Sequence, residues 1–276
     1  MMLAKLLGEM PVRDFMANHY QRFPFARAGG CTELFPENAW TLTQTILDSN
    51  VADVLFARGN ETLKAAPGIN AAEMVSQGYT LRVRHAERHD AHLQTLAHGF
   101  HADFLAPVDV HLYCTPGNHE GLNWHYDAEE VFVLQLDGIK EWSLRKNTVH
   151  PWPLVETIPE NMRVEREISP TMRCTLQPGD WLYVPNGYWH RTKAGPKKSI
   201  SLSVGILAPS AIDLLDFVRR RLVEDLRWRQ RLPSPHDGDV KEQYRTLAAE
   251  LSRDLAEVFT SAAIVEAYLK DRRGRD

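Results

Sequence analysis

The chain is poor in cysteine, in long apolar runs and in surplus charge, and each shortage excludes a class of protein. Its 276 residues hold three cysteines, Cys31, Cys114 and Cys174. An odd number with no CxxC spacing argues against a disulfide framework or a zinc ribbon and for a reducing compartment. We expect structural thiols in a cytoplasmic protein. No segment approaches the roughly 18 uninterrupted apolar residues of a membrane span, and residues 1–9 are too short an apolar run for a signal peptide, so no membrane association is expected. A formal net charge of −4 supplies no field for bare nucleic acid, and no direct sequence-specific nucleic-acid binding is expected. Internal repeats and low-complexity segments are missing too. What is present, 43% hydrophobic and 25% charged residues, is the composition of one large globular domain with an appendage.

Turn chemistry then divides the chain. Residues 1–22 mix apolar and polar positions at helical spacing, and residues 22–27 read as an entering strand ended by Gly29-Gly30. Residues 41–47 and 71–77 read as short helices, the second capped by Asn70. From Val108 the pattern changes to short β runs at 108–115, 131–136, 139–144, 172–176, 181–184 and 199–207. Pro116-Gly117, Asp137-Gly138, Pro178-Gly179 and Pro185-Asn186-Gly187 punctuate them. Asp137-Gly138 between two β-rich runs predicts a hairpin, because both turn residues accept positive φ. Many short strands with evenly placed turns predict an antiparallel barrel or jelly roll. Residues 150–170 predict a long loop at its mouth.

Past Pro209 the pattern is helical: Ser210 caps an amphipathic helix running to about Leu232, a linker follows at 233–238, and a second helical region covers 240–270. The expected fold class is mainly β with α. An N-terminal α/β portion (1–107) supports a barrel core (108–209), and a helical C-terminal region (210–276) completes the chain.

Candidate chemistry gathers at Leu122-Asn123-Trp124-His125-Tyr126-Asp127. On an extended chain residues i and i+2 share a face, so His125 and Asp127 enter one cavity while Tyr126 turns away. A lone HxD says little. His190 adds to it, because residues 176–189 form a turn, a strand and a second turn that deliver a histidine to the same cavity; alone, it would read as a buried histidine bonded to backbone. Two imidazoles and one carboxylate make a 2-His-1-carboxylate facial triad, which leaves positions on Fe(II) open for a cosubstrate and dioxygen. His125, Asp127 and His190 are therefore the metal-ligating and catalytic candidates.

Such an oxygenase also needs a group for the distal carboxylate of 2-oxoglutarate. Alternation over 139–144 turns Lys140 inward with Trp142 and Leu144, and a lysine on an apolar face calls for an anion. On the opposite register it would be a snorkelling surface residue. Tyr113 is placed to add a hydroxyl to the same carboxylate.

These residues carry a resemblance. The HxD at His125 and Asp127, the run from Val131 to Trp142 with Lys140, and Pro-Gly-Asp-Trp-Leu-Tyr-Val-Pro-Asn-Gly-Tyr-Trp-His at 178–190 resemble the Jumonji C (JmjC) family of Fe(II)/2-oxoglutarate oxygenases. Within it, the lead-in from Phe15 to Pro24, the strand from Ser201 to Ile206 and the helical tail resemble the ribosomal oxygenases. The resemblance implies a double-stranded β-helix of the cupin type, with iron on His125, Asp127 and His190 and 2-oxoglutarate on Lys140 and Tyr113. It implies an oxidoreductase, a dioxygenase that uses O2 to hydroxylate an arginine or histidine side chain of a ribosomal protein, and a homodimer formed through the C-terminal helices. Many relatives have a serine or asparagine assisting 2-oxoglutarate where this chain has Gly205, so a contact is expected to be missing there. The longer relatives also end in a winged-helix domain.

Two other functions fit the residues less fully: a small-molecule 2-oxoglutarate oxygenase of secondary metabolism, and a non-catalytic cupin-like binding protein. The C-terminal helices have the alternative of folding back on their own barrel. His85, His89 and His92, with Asp90, suggest a second metal site at helical spacing. We reject it, because no cysteine or second carboxylate closes a tetrahedral shell.

Overall fold

A computed structural model describes residues 1–35, 38–48, 53–59, 61–65, 69–236 and 238–274. It divides into two compact units, Met1–Ala208 and Pro209–Asp276. The first opens with α1 (Met2–Leu7) and α2 (Val12–Asn18), followed by β1 (Phe25–Arg27), α3 (Ala39–Asp48), β2 (Asp53–Arg58), β3 (Glu61–Lys64), α4 (Ala71–Ser76), β4 (Thr80–Arg84) and α5 (Ala91–Phe104). Then come β5 (Val108–Thr115), β6 (Glu130–Asp137), β7 (Lys140–Arg145), β8 (Met172–Leu176), β9 (Trp181–Val184), β10 (Trp189–Ala194) and β11 (Ser199–Ile206).

These strands form two antiparallel sheets, one ordered β1-β9-β6-β11-β5-β4-β2-β3 and one ordered β10-β7-β8. A single cavity is lined from both, by Tyr113, Val131, Val133, Ser201 and Ser203 of the large sheet and by Lys140, Trp142, His190 and Thr192 of the small one. This is the jelly-roll, double-stranded β-helix architecture. Strands β2 to β4, which precede residue 107, belong to the same large sheet.

Both faces of the central strands β6, β9 and β11 are buried, which explains their near-continuous apolar runs. The outward residues Leu112, Phe132, Leu134, Trp181, Tyr183 and Leu202 pack with Leu6, Phe15, Leu96 and Phe100 from the helices. Phe132 centres this layer, its ring centroid 5.0 Å from Tyr183, 5.1 Å from Phe100 and 5.9 Å from Trp181. Helix α5 lies here because Leu93, Leu96, Ala97 and Phe100 recur at helical spacing, with Asp90 accepting from His92 N and Leu93 N to cap it. The expected cap at Asn70 is present on α4.

The predicted hairpin is corrected. β6 pairs with β9 and β11, whereas β7 pairs with β8 and β10, so Asp137-Gly138 carries the chain from one sheet to the other. Gly138 has φ +66, and a Cβ there would meet the Lys198 carbonyl oxygen at 2.2 Å. Glycine is required for both reasons. The Gln135 amide ties the crossing by donating to the carbonyls of Asp137 and Gly138 at 2.7 and 3.1 Å and to Ser199 Oγ at 2.9 Å.

In the second unit, α6 (Ala211–Leu222), α7 (Val240–Thr260) and α8 (Ala262–Arg273) share a cluster of Phe217, Val218 and Leu222 with Leu255, Phe259 and Tyr268. Ser210 and Asp213 form the capping box of α6. This helix ends at Leu222, ten residues short of the expected Leu232. Beyond it the Asp225 carboxylate accepts from Arg227 N at 2.8 Å, a local bond that competes with helix continuation. The second helical region is broken at Ser261, whose backbone is extended. Within the expected linker, Asp237 lies outside the described residues.

Candidate metal and cosubstrate centre

His125 and His190 are joined by a single β-bridge, His125 N donating to His190 O at 3.1 Å and His190 N to His125 O at 2.8 Å. The turn before β10 fixes the third residue, since Gly187 N donates to Asp127 O at 2.9 Å. Asp127 Oδ2 lies 3.4 Å from His190 Nε2 and 3.9 Å from His125 Nε2. Tyr126 turns away, as alternation requires, and its hydroxyl hydrogen-bonds with His150 Nδ1 at 3.0 Å.

The donor set fits a divalent cation. His125 Nδ1 faces Asn123 O at 2.7 Å and His190 Nδ1 faces Tyr188 O at 3.0 Å. A carbonyl only accepts, so each Nδ1 carries the proton and each Nε2 presents its lone pair to the shared space. Burial, reinforced by His125, holds His190 below the ordinary histidine value. At Asp127 burial opposes ionisation, but His190 and His125 outweigh it and the carboxyl sits below its usual range. A neutral imidazole at His190 beside an ionised Asp127 is the protonation a metal takes.

Lys140 projects into the same cavity on the face of β7 that also bears Trp142 and Leu144. It is 3% exposed, and its Nζ donates to Ser201 Oγ at 3.0 Å, 5.6 Å from the centre of the Tyr113 ring. Burial pulls the ammonium down to about 8, with Cys114 acting in the opposite sense. Thr80 Oγ1 and Thr115 Oγ1, lining this cavity, are buried with no partner among the described residues. Burial also pushes Tyr113 up to about 12, so it stays a hydroxyl donor. One buried cation among hydroxyl groups that lack acceptors suits a carboxylate.

Sequence reasoning missed Ser201, Thr80 and Thr115. The signal was the small-residue alternation Ser201, Ser203, Gly205 on one face of β11. That alternation also relocates the expected gap. Lys140 receives its hydroxyl from Ser201, which pairs with Tyr113 and Gln135, whereas Gly205 lies four residues farther on, between Asp109 and Val131. The missing side chain is therefore not at the lysine end.

The second histidine cluster resolves differently from its spacing. His85 groups with Glu87 and Asp109, its Nδ1 2.9 Å from Asp109 Oδ1, while Glu87 also accepts from Val110 N at 2.9 Å. His92 hydrogen-bonds with the Leu34 carbonyl and Asp90 caps α5.

The family model for the JmjC domain matches residues 83–214, a span that contains every residue of this centre except Thr80. The chain is 25% identical over 202 residues to "Bifunctional lysine-specific demethylase and histidyl-hydroxylase NO66" of Dictyostelium discoideum, which covers 68% of this chain and 39% of that protein. Against Ribosomal oxygenase 2 of Mus musculus it is 35% identical over 127 residues, 45% of this chain and 26% of that one. The chain thus spans well under half the length of these relatives. Among solved structures it shares the fold of YcfD, a ribosomal oxygenase from Escherichia coli in complex with cobalt and 2-oxoglutarate, with a TM-score of 0.65 at 18% identity over 97% of this chain and 72% of that one. Residues 83–214 match the JmjC domain, and the chain is similar to the ribosomal oxygenases.

Proposed function

We propose that this protein is an Fe(II)- and 2-oxoglutarate-dependent dioxygenase that hydroxylates an arginine or histidine side chain of a ribosomal protein. The observation that carries the reading is the pair of Nε2 lone pairs and the Asp127 carboxylate opening onto the same cavity as buried Lys140. His125, Asp127 and His190 would hold the iron, and with dioxygen and 2-oxoglutarate it supplies the oxidising power for C–H hydroxylation while succinate and CO2 are released.

The remaining steps belong to the chain. Lys140 neutralises the distal carboxylate of 2-oxoglutarate, and Ser201, Tyr113, Thr80 and Thr115 offer hydroxyls around it. Trp142, Val131, Val133 and Val184 wall the cavity with apolar surface and exclude water from the reacting end. The two Nδ1–H bonds to the Asn123 and Tyr188 carbonyls keep both imidazoles oriented.

A cytoplasmic setting is supported by three free cysteines. Homodimerisation is supported by the helical unit, where Ile212, Leu215, Leu226 and Val265 remain exposed. Purified iron-loaded protein, given 2-oxoglutarate and ribosomal proteins from cells lacking the gene, should form succinate and add the mass of one oxygen atom to one of them. Absence of succinate with any such protein refutes the reading.

A further inference from the structure

A second cluster of metal-ligand type lies where β4 leaves β5. The two strands pair from Leu81 opposite Cys114 to Val83 opposite Leu112. Past that ladder, Val110 N donates instead to Glu87 Oε2 at 2.9 Å. This bond fixes the Glu87 carboxylate and leaves its Oε1 3.7 Å from His85 Nδ1. Asp109 Oδ1 lies 2.9 Å from the same nitrogen. One imidazole nitrogen and two carboxylate oxygens are thus gathered within 4.8 Å of one another. His85 is also held through its main chain, its N–H donating to His111 Nδ1 at 3.3 Å.

The spacing of His85, His89 and His92 offered no second carboxylate, and the fold supplies one. It leaves out His89 and His92 and brings Asp109 in from twenty-four positions away. None of the three gathered residues lines the cavity of the first centre. The Asp109 side chain is 41% exposed, so an ion has a path in. Of the neighbouring cations, Arg84 is paired with Asp53 at 3.0 Å. Arg88 Nε stands 3.6 Å from Glu87 Oε1 on a side chain that is mostly in solvent and free to swing clear.

We propose that His85, Glu87 and Asp109 form a second divalent-metal site, separate from the iron centre, which takes zinc and clips the 85–88 turn to the start of β5. Magnesium and calcium favour all-oxygen shells and the softest ions favour thiolates, so one imidazole with two carboxylates suits zinc. Zinc bonds of about 2.0–2.2 Å put tetrahedral donors about 3.4 Å apart, between the 2.9 and 3.7 Å found here. The Val110 N–H orients Glu87 as an outer hydrogen bond orients a metal-bound carboxylate. The ion replaces the proton that His85 Nδ1 otherwise shares with Asp109, that proton moves to Nε2, and water fills the fourth position.

The test counts ions by native mass spectrometry on the full, untagged chain, stripped of metal and reloaded with excess zinc. Wild type should hold two ions, one in each centre. His85→Asn suits the left-handed backbone there, φ +50, while removing the nitrogen ligand. Glu87→Gln keeps an acceptor for Val110 N and removes the charge. Each variant should hold one ion. Asp127→Asn should also hold one, and zinc should raise its melting temperature, a shift that His85→Asn combined with Asp127→Asn loses. Matching melting temperatures of the metal-free single variants and wild type show that folding is not the cause. A single ion in wild type that Asp127→Asn loses overturns the second site, and so do two ions retained in His85→Asn. Neither result touches the hydroxylase reading, which stands or falls on succinate.

Discussion

His125 and His190, sixty-five positions apart, exchange both backbone hydrogen bonds of one isolated β-bridge, and their ring centroids stand 4.1 Å apart. Two imidazoles are thus paired by main chain before any ion arrives. The bridge makes the site preorganised, so binding a cation costs little ordering of these two residues.

Metal binding should therefore appear as thermal stabilisation of an already folded protein. A divalent cation at about 100 times its Kd should add about 2.7 kcal/mol. Asp127→Asn and His125→Ala should lose both the shift and the retained metal. Differential scanning fluorimetry with and without manganese, alongside metal analysis, checks this, and an undiminished shift in Asp127→Asn counts against the site.

Lys140 opposes stability in the unliganded protein. Its folded-state value, about 8, lies below the ordinary lysine value. Between the two, the native state binds fewer protons than the unfolded chain, so this residue's contribution to stability is lowest below about pH 8 and rises with pH through that window. Lys140→Met should raise the urea midpoint at pH 7 and much less at pH 10, while weakening 2-oxoglutarate on the order of 100-fold. A lower midpoint at pH 7 would contradict the picture.

The same residue predicts a pH limit on cosubstrate binding. Affinity for 2-oxoglutarate, followed by calorimetry, should be level below about pH 8 and fall above it as free Lys140 loses its proton. Lys140→Met should remove that fall.

Gly138→Ala tests the crossing between sheets. Positive φ and a Cβ against the Lys198 carbonyl oxygen should together cost about 2 to 3 kcal/mol, read as a lower denaturation midpoint. An effect within about 0.5 kcal/mol would show that the turn relaxes freely.

Oligomeric state has its own check. Leu215→Glu with Leu226→Glu places charge at two exposed apolar positions of the helical unit. Sedimentation should report a dimer for wild type and a monomer for the double variant, with helical circular dichroism retained.

Much of the centre is legible in the sequence because it is encoded locally. His125 and Asp127 share a face through period-two alternation, and Lys140 turns inward with Trp142 and Leu144 by the same rule. Turn chemistry behaves otherwise. Asp137-Gly138 specifies backbone angles but not which sheet the next strand joins, and the contacts at the crossing, the Lys198 carbonyl at Gly138 and the Gln135 amide on Ser199, come from sixty or more positions away. The Ser201 hydroxyl on Lys140 is a contact across sixty-one positions that no local pattern carries. Helix α5 did carry its signals, Asp90 and the Leu93, Leu96, Phe100 stripe, yet His92, His98 and His101 between them obscured the face. Strand β3 is exposed along its whole length, so its sequence carries no apolar face to alternate.

Strand β11 lies between β5 and β6, which are consecutive in the chain yet share no ladder among the described residues. Each therefore keeps an unpaired edge until residues 199–206 have been synthesised and inserted. Ser201, on which Lys140 rests, arrives with that same strand. Closure of the large sheet and completion of the cavity around Lys140 then depend on the same long-range contacts. A translating chain that stalls before this strand is both inactive and exposed along two sheet edges, the form a quality-control protease or an aggregating neighbour finds first.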